Sequence, residues 1–331
     1  MLDAAVARPG GAVAVDDVGT LGRYLAARLL EPLRTALSAG GQWVISPDGP
    51  LAQLPFEALP WQKGRLVDRV QVHYTPSLSV YALARELQRD YRELPDRRAL
   101  FAMGHARYES AGQRSTGGRG RTRSAPVRSV EQLRELDTGW PNLPGTEGEV
   151  LAVQRLFPRA SLVQLGVQAT EANLQALNGR GELKDFRYLL FSAHGYVSLA
   201  QPALSAIVLG LQDRAPGTDG YVTAAEWPSY DLRSDLTVLS ACDTGVGAVV
   251  DGEGVMGLPF ALQLAGNVNT VLTLWPVDDR ATAGFVEALF RHLRDGRSPA
   301  QALSMTKREF ARHPRWSAPR YWAPFVLVGA G

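Results

Sequence analysis

The chain has 331 residues, of which 45% are hydrophobic and 21% are charged, as in an ordinary soluble globular protein. Its 35 basic and 33 acidic side chains leave a formal net charge of +2, which indicates no general attraction to nucleic acid or to an anionic membrane. No apolar run reaches the roughly 18 residues of a membrane span, and the first residues lack the features of a signal peptide. We therefore expect a cytoplasmic protein.

The chain contains a single cysteine, Cys242. One cysteine excludes an intramolecular disulfide and any cysteine-rich metal site, and it fits a reducing compartment. The histidines are scattered along the chain without the spacing of metal ligands. The sequence therefore predicts neither a metal ion nor a cofactor.

The first part of the chain is predicted to contain a tail, residues 1–17, and then the N-terminal part of a larger domain, residues 18–96. In this part the spacing of apolar residues predicts a helix, two strands and a second helix. In chain order, these elements are predicted at 18–38, 42–47, 69–77 and 79–94.

Residues 97–331 show a regular alternation of strands and helices and are predicted to form the core of the domain. Strands of this length separated by helices imply right-handed crossovers and an α/β fold with a mostly parallel sheet covered on both faces. Thr146 is predicted to cap one helix, with Glu149 three residues later completing a capping box. The predicted strands lie at 99–104, 161–165, 186–193, 204–210, 235–241, 269–275 and 321–329. The predicted helices lie at 145–158, 170–177, 255–266, 282–296 and 298–313.

The core is interrupted by a segment rich in arginine, glycine and serine, residues 105–139. It contains few large apolar side chains, so it cannot bury enough surface to offset the entropy lost on ordering. This composition predicts a mobile loop. A nucleic-acid patch is the alternative, but aromatic side chains for base stacking are not regularly interleaved with the arginines. We expect no direct contact with nucleic acid.

Two apolar strands of the core end in chemically unusual residues. One is followed by His194 and Gly195, and the other by Cys242 and Asp243. Sites in open parallel sheets form just beyond the carboxyl ends of the strands, so adjacent strands would bring these residues together. An imidazole next to a thiol takes its proton or stabilises the thiolate, and it can then protonate a leaving amine.

The pair His194 and Cys242 is therefore predicted to act as base and nucleophile, although each residue taken alone is more often structural. The N–H groups of Gly195 and Cys242 are predicted to bind the oxyanion of a tetrahedral intermediate.

Seven short motifs resemble the CHAT domain family, caspase-like cysteine peptidases that are associated with tetratricopeptide repeats and related to caspases, metacaspases and separases. The family's catalytic histidine and cysteine fall on His194 and Cys242, which lie 48 positions apart, close to the spacing of about 50 in caspases. The resemblance implies a caspase-like sandwich with a mostly parallel central sheet flanked by helices, and a cysteine endopeptidase that needs no metal. The motifs are SPDGPLAQLPFEAL, LPGTEGEV, FSAHG, LSACDTG, DGEGVMGL, LTLWPVDD and YWAPFVLVG.

The resemblance also implies a pocket for the substrate residue before the scissile bond. Relatives that cleave after basic residues line this pocket with carboxylates. The predicted substrate-binding residues are Asp243, Trp275 and Asp279. Further acidic candidates are Asp251, Glu253 and Asp278, but acidic residues are also favoured at helix N-termini for structural reasons.

The resemblance implies two kinds of partner: a protein substrate, and a regulatory protein or tetratricopeptide-repeat partner that switches the protease on. In related systems such proteases act in bacterial defence or cell death. A pocket for basic residues would also make the arginine-rich residues 105–128 a natural self-cleavage or regulatory segment.

Two other functions compete with the peptidase. The first is a catalytically silent caspase-like scaffold for protein–protein interaction. The presence of both His194 and Cys242 argues against it, because a silent domain needs neither residue. The second is a flavodoxin-like nucleotide or phosphate binder, which shares the sheet architecture. The segment ALFAMGHARYES has neither of the Gly-rich phosphate-loop patterns that such a binder would use.

Overall fold

The computed structural model describes most of the chain, in seven segments. None of the helices in these segments has the length and apolar composition that crossing a bilayer requires. The segments are residues 15–38, 40–95, 97–108, 140–198, 201–212, 216–240 and 257–331.

The strands of the described segments form one large sheet, one three-stranded sheet and one short hairpin. In chain order, they are β1 (Gly41–Ile45), β2 (Pro60–Trp61), β3 (Gly64–Arg65), β4 (Val70–Tyr74), β5 (Arg98–Gly104), β6 (Ser161–Leu165), β7 (Phe186–Ser192), β8 (His194–Tyr196), β9 (Ala206–Val208), β10 (Tyr221–Thr223), β11 (Leu236–Leu239), β12 (Asn269–Thr273) and β13 (Phe325–Gly329).

The large sheet has eight strands in the order β1-β4-β13-β12-β11-β7-β5-β6. Every neighbouring pair is parallel except β12 and β13, which are antiparallel. The predicted α/β sandwich with a mostly parallel central sheet is therefore confirmed. The central strands β7, β11 and β12 are buried at every position except Arg187 because both faces of the sheet are covered.

The helices of the described segments cover the sheet on both faces. Alternate residues of one central strand show this, since Leu189 packs into one core and Leu190 into the other. The helices are α1 (Val15–Leu29), α2 (Arg34–Ser38), α3 (Leu78–Arg92), α4 (Gly145–Leu156), α5 (Glu171–Gly179), α6 (Gly257–Leu264), α7 (Asp279–Arg294) and α8 (Pro299–Ala311).

One face of the sheet packs against α4, α7 and α8, which bury Val150, Phe285 and Leu303 in a common core. The opposite face packs against α5, α6 and the end of α1, where Leu174 and Leu262 are fully buried. The antiparallel sheet β8-β9-β10 lies on this second side as well, and its residues share the same core. The predicted strand at 204–210 therefore belongs to the small sheet and not to the central one.

The start of α4 differs from the prediction. The position before the helix is Pro144, and Thr146 lies inside the first turn. The Thr146 hydroxyl donates to the Leu143 carbonyl at 2.7 Å and accepts the His105 N–H at 2.8 Å. The predicted capping box is therefore wrong. Thr146 instead links the end of β5 to the start of the helix, and Glu149 is buried without contacting the helix N-cap.

Part of the segment predicted to be a mobile loop lies within the described residues and is packed. Ala106 and Tyr108 are both buried in the core, and the Arg107 carbonyl accepts the Leu211 N–H at 2.9 Å. Residues 109–139 lie outside the described residues, so for them the mobile loop stays a prediction.

Candidate active site

The candidate site lies at the edge of the sheet where β7 and β11 end. These two strands are adjacent and parallel, with Phe191 of β7 opposite Leu239 of β11. The prediction that the ends of these two strands lie next to each other is therefore confirmed. β7 leads after one residue into β8, which begins with His194. In open α/β sheets this carboxyl edge is where ligands bind.

The ring of His194 is held by a backbone carbonyl. His194 is 2% exposed, and its Nε2 lies 2.7 Å from the carbonyl oxygen of Pro141. Because a carbonyl only accepts hydrogen bonds, Nε2 must carry the proton and donate it. In the neutral ring the lone pair is then on Nδ1, which is the nitrogen able to act as a base.

Two aromatic side chains enclose the same ring. The centroid of Tyr108 lies 4.8 Å from that of His194 in an edge-on arrangement, and Trp140 lies 4.8 Å away at 37°. Trp140 is anchored by its indole N–H, which donates to the Tyr221 hydroxyl at 3.0 Å. The imidazole therefore has little freedom to turn away from the sheet edge.

Tyr108 also joins the two strands that support the histidine. Its hydroxyl accepts the backbone N–H of His194 at 3.2 Å and donates to the carbonyl of Val208 at 2.9 Å. Burial raises the pKa of Tyr108 well above its ordinary value, so the hydroxyl keeps its proton for this second bond. Tyr108 thus completes hydrogen bonding between β8 and β9 next to the site.

The aromatic enclosure and the Pro141 carbonyl were not predicted from the sequence. Trp140 and Pro141 precede His194 by more than fifty positions, and a backbone carbonyl has no sequence signature. The cluster WPNLPG at 140–145, with a tryptophan and two prolines just before a helix, is a sequence signal that could have indicated an ordered segment there.

The predicted nucleophile lies outside the described residues, as do Asp243, Asp251 and Glu253. The last described residue before Cys242 is Ser240, whose N–H donates to the Phe191 carbonyl at 2.9 Å. The roles predicted for these positions stay predictions. Gly195 lies in β8 directly after His194, opposite Ile207 of β9, and its role in an oxyanion hole also stays a prediction.

The other predicted substrate-binding residues lie after β12, and the structure separates them. Asp279 begins α7 and lines a small cavity at the sheet edge. Trp275 does not line that cavity: it packs against the core on the α7 side, and its indole N–H donates to the Arg320 carbonyl at 3.2 Å. Asp278 is the N-cap of α7, where its side chain accepts the N–H groups of Arg280 and Ala281.

The cavity beside Asp279 has a volume of about 30 Å³ and lies between the start of α4, the start of α7 and the end of β11. Its innermost acidic residue, Glu149, is 4% exposed and was not predicted from the sequence as a site residue. The sequence predicts Glu149 as part of a capping box, whereas its side chain is buried under the edge of the sheet. The side chains around the cavity are those of Leu143, Thr146, Glu149, Ser240, Asp279 and Thr282.

The carboxyl group of Glu149 is only partly hydrogen-bonded. Its Oε1 has no partner among the described residues, although it is buried. Burial raises the pKa of Glu149 to about 7, and the charge of Asp279 adds to this effect, while side-chain hydrogen bonds with Ser240 and Ser192 act in the opposite direction.

A metal-binding cluster would need several such ligands together. Within the described segments, no group of three or more His, Cys, Asp or Glu side chains is arranged to hold a metal ion.

The chain is similar to parts of much longer curated proteins. It is 29% identical over 123 residues to tetratricopeptide repeat protein 28 of Mus musculus and 28% identical over 120 residues to that of Homo sapiens. These matches cover 37% and 36% of this chain but 5% of each relative. The chain thus matches only a small part of their length.

Two solved structures resemble the fold at low sequence identity. The separase–securin complex of Saccharomyces cerevisiae has a TM-score of 0.46 at 14% identity, covering 84% of this chain and 15% of that chain. The Arg-specific cysteine proteinase gingipain R has a TM-score of 0.47 at 8% identity, covering 96% of this chain and 67% of that chain. A family model described as the CHAT domain matches residues 19–330. The chain belongs to the CHAT domain family.

Proposed function

We propose that this chain is a cysteine endopeptidase that cuts a protein substrate with His194 as base and Cys242 as nucleophile. The observation that carries the proposal is the bond from His194 Nε2 to the Pro141 carbonyl. It holds the imidazole at the carboxyl edge of the sheet with the proton on Nε2, so that Nδ1 is the nitrogen that acts as base. Cys242 follows β11, the strand next to β7, by three residues.

The chemistry follows from that pair. Nδ1 of His194 removes the thiol proton, and the Cys242 sulfur attacks the carbonyl carbon of the scissile peptide bond. The N–H groups of Gly195 and Cys242 stabilise the oxyanion, and the imidazolium returns its proton to the leaving amine as the C–N bond breaks. Water, activated by the same imidazole, then hydrolyses the thioester and releases the free thiol.

The substrate side chain before the scissile bond is proposed to meet Asp279 and Asp243, whereas Trp275 packs against the core away from the cavity that Asp279 lines. Asp279 lies at the edge of the cavity beside β11, which supports its assignment. For regulation, we propose a separate protein or a tetratricopeptide-repeat region, because the curated relatives are tetratricopeptide repeat proteins of which the chain matches 5%.

A thiol-directed peptide electrophile, such as a peptidyl acyloxymethyl ketone, tests the pairing directly. We expect rapid labelling of the wild-type protein, no labelling of Cys242→Ala, and labelling slowed by at least about 100-fold in His194→Ala, the usual range for a general base. His292→Ala is the matched control, since that histidine lies in the last turn of α7 and pairs with Glu309 of α8.

The alternative, a catalytically silent scaffold, gives a different result in the same experiment. Labelling of Cys242 would then be slow and equal in the wild-type protein and in His194→Ala, because an unassisted thiol reacts at its ordinary rate. Peptide-library cleavage that persists in Cys242→Ala would also contradict the proposed mechanism.

A further inference from the structure

A second cavity, which we call the basic cavity, lies at the edge of the sheet opposite the candidate active site. Its volume is about 500 Å³, and it is lined by the end of α3, the starts of β7 and β12, and the turn between α7 and α8. Arg187 at the start of β7 lines it, whereas His194 lies just beyond the end of that strand, roughly 20 Å away along the extended chain. A cavity of this size accommodates a small organic molecule.

The described side chains around the basic cavity carry an excess of positive charge. Among the described residues, the lining contains four arginines from different parts of the chain and a single acidic residue, Asp235. Like charges around one space repel each other, and an anion between them removes this repulsion. The arginines are Arg92 in the last turn of α3, Arg97 just before β5, Arg187 in β7 and Arg297 in the turn after α7.

Asp235 holds two of these arginines in place. Arg97 Nη2 lies 2.6 Å from Asp235 Oδ1, and Arg187 Nε lies 2.9 Å from Asp235 Oδ2. Both carboxylate oxygens are therefore engaged, and one negative charge faces two guanidinium groups. The Arg97 side chain is 9% exposed, and its Nη2 also donates to the Tyr91 carbonyl at 3.3 Å. The positive charge is thus fixed before a ligand arrives, which reduces the entropy lost on binding.

The other two arginines, Arg92 and Arg297, have no carboxylate partner of this kind. Neither forms an ion pair within the described segments, and both are exposed. A guanidinium is a planar fork of donors that matches two oxygens of a phosphate group. Because the two residues belong to α3 and to the turn between α7 and α8, a ligand that contacts both would link the N-terminal part of the domain to its core.

We infer that the basic cavity binds a small molecule that carries a diphosphate group, with Arg92 and Arg297 donating to the phosphate oxygens. Four arginines and one aspartate give the described lining a net charge of +3. A diphosphate carries about three negative charges near neutral pH, whereas a single carboxylate carries one. Leu94, Pro95 and Val268 add an apolar part to the lining, which an organic group attached to the diphosphate would contact.

Isothermal titration calorimetry at low ionic strength and without magnesium compares pyrophosphate, ADP, adenosine and citrate. We expect pyrophosphate and ADP to bind saturably, with one ligand per chain, and adenosine not to bind because it lacks the phosphates. Citrate has about the charge of pyrophosphate but spreads it over separate carboxylates, so we expect its Kd to be at least about tenfold higher. A lower Kd for ADP than for pyrophosphate would assign the site to an organic diphosphate, and equal values would assign it to the inorganic one.

Two variants assign the binding to the basic cavity. Arg92→Gln and Arg297→Gln are each expected to raise the Kd of pyrophosphate by at least about tenfold, since each loses a charged hydrogen-bond donor. Arg89→Gln and Arg294→Gln are the matched controls. They remove the same charge from the last turns of α3 and α7, where both arginines are exposed and lie outside the lining. Their Kd should equal that of the wild-type protein.

Three results of these titrations would contradict the inference. If neither pyrophosphate nor ADP binds saturably, the basic cavity is not a diphosphate site. If all four variants weaken binding equally, the ligand is attracted by the overall surface charge and is not held in the cavity. If citrate binds as tightly as pyrophosphate, the site accepts any anion of that charge and the diphosphate assignment is wrong. Cys242→Ala should bind pyrophosphate like the wild-type protein, so the result is independent of the proposed peptidase.

Discussion

Lys307 Nζ lies 2.7 Å from Glu57 Oε1, and the two side chains, 250 positions apart, are 1% and 3% exposed. This buried ion pair joins α8 to the segment before β4. Glu57 also accepts the Tyr74 hydroxyl, and that hydroxyl in turn accepts the Phe56 N–H at 3.0 Å. The pair therefore belongs to a small, fully buried network that connects the N-terminal and C-terminal parts of the domain.

Removing one partner of this pair should destabilise the protein strongly. Lys307→Met leaves a carboxylate buried without its cation, and we expect it to lower the free energy of unfolding by about 3–5 kcal/mol. The double variant Lys307→Met/Glu57→Gln should recover part of this loss, since no charge is then left unpaired. Urea denaturation measures both values; a loss below about 1 kcal/mol in the single variant would contradict the prediction.

The Tyr108 hydroxyl is the second feature with a testable role. In Tyr108→Phe, the N–H of His194 and the carbonyl of Val208 both lose a buried partner, so we expect a loss of about 1–3 kcal/mol in the free energy of unfolding. Peptidase activity should fall mainly through kcat, because the variant loosens His194 and leaves the substrate pocket in place. Tyr196→Phe, on the same small sheet, serves as the control. An unchanged stability would show that Tyr108 is only a packing residue.

The apolar strands could be predicted well from the sequence because burial on both faces leaves a continuous hydrophobic run, as in β7 and β11. Their adjacency followed from the rules for parallel sheets, and with it the position of His194. The strand at 204–210 shows the limit of this reasoning, since an apolar run does not tell which sheet it joins.

The rest of the site depends on contacts between distant parts of the chain. The Pro141 carbonyl contacts His194 through a backbone atom that any residue would provide, so no residue type indicates it. Glu149 fits the sequence pattern of a capping box, and only the packing of α4 against the sheet shows that its carboxyl group is buried beneath Ser240 and Ser192. The local sequence pattern and the tertiary packing imply different environments for Glu149, and the tertiary packing determines the one it has.

Gly329 should be intolerant of any side chain. It ends β13 with a φ of +142°, and a Cβ there would lie 2.3 Å from the Val268 carbonyl oxygen. We expect Gly329→Ala to lower the free energy of unfolding by at least about 2 kcal/mol, since both backbone strain and a backbone clash oppose it. Gly217→Ala is the control: its φ is +87°, but no atom lies within 4 Å of the new Cβ. If both variants lose the same amount in thermal denaturation, strain alone explains the effect and the predicted clash is wrong.

Glu149 should make the stability of the protein depend on pH in a direction opposite to that of a salt-bridged acid. Its pKa is about 7, above the ordinary 4.5, so the folded protein favours the neutral carboxyl group. The resulting destabilisation is absent below pH 4.5, grows between pH 4.5 and pH 7, and is complete above pH 7. It amounts to about 3 kcal/mol at most.

Glu149→Gln removes this charge and should therefore be more stable than the wild-type protein at pH 8 but not at pH 4.5. Chemical denaturation at both values measures the difference, with Glu147→Gln as the exposed control on the same helix. If the free energies of unfolding of the wild type and of Glu149→Gln differ by the same amount at both pH values, the raised pKa of the buried carboxyl group is contradicted.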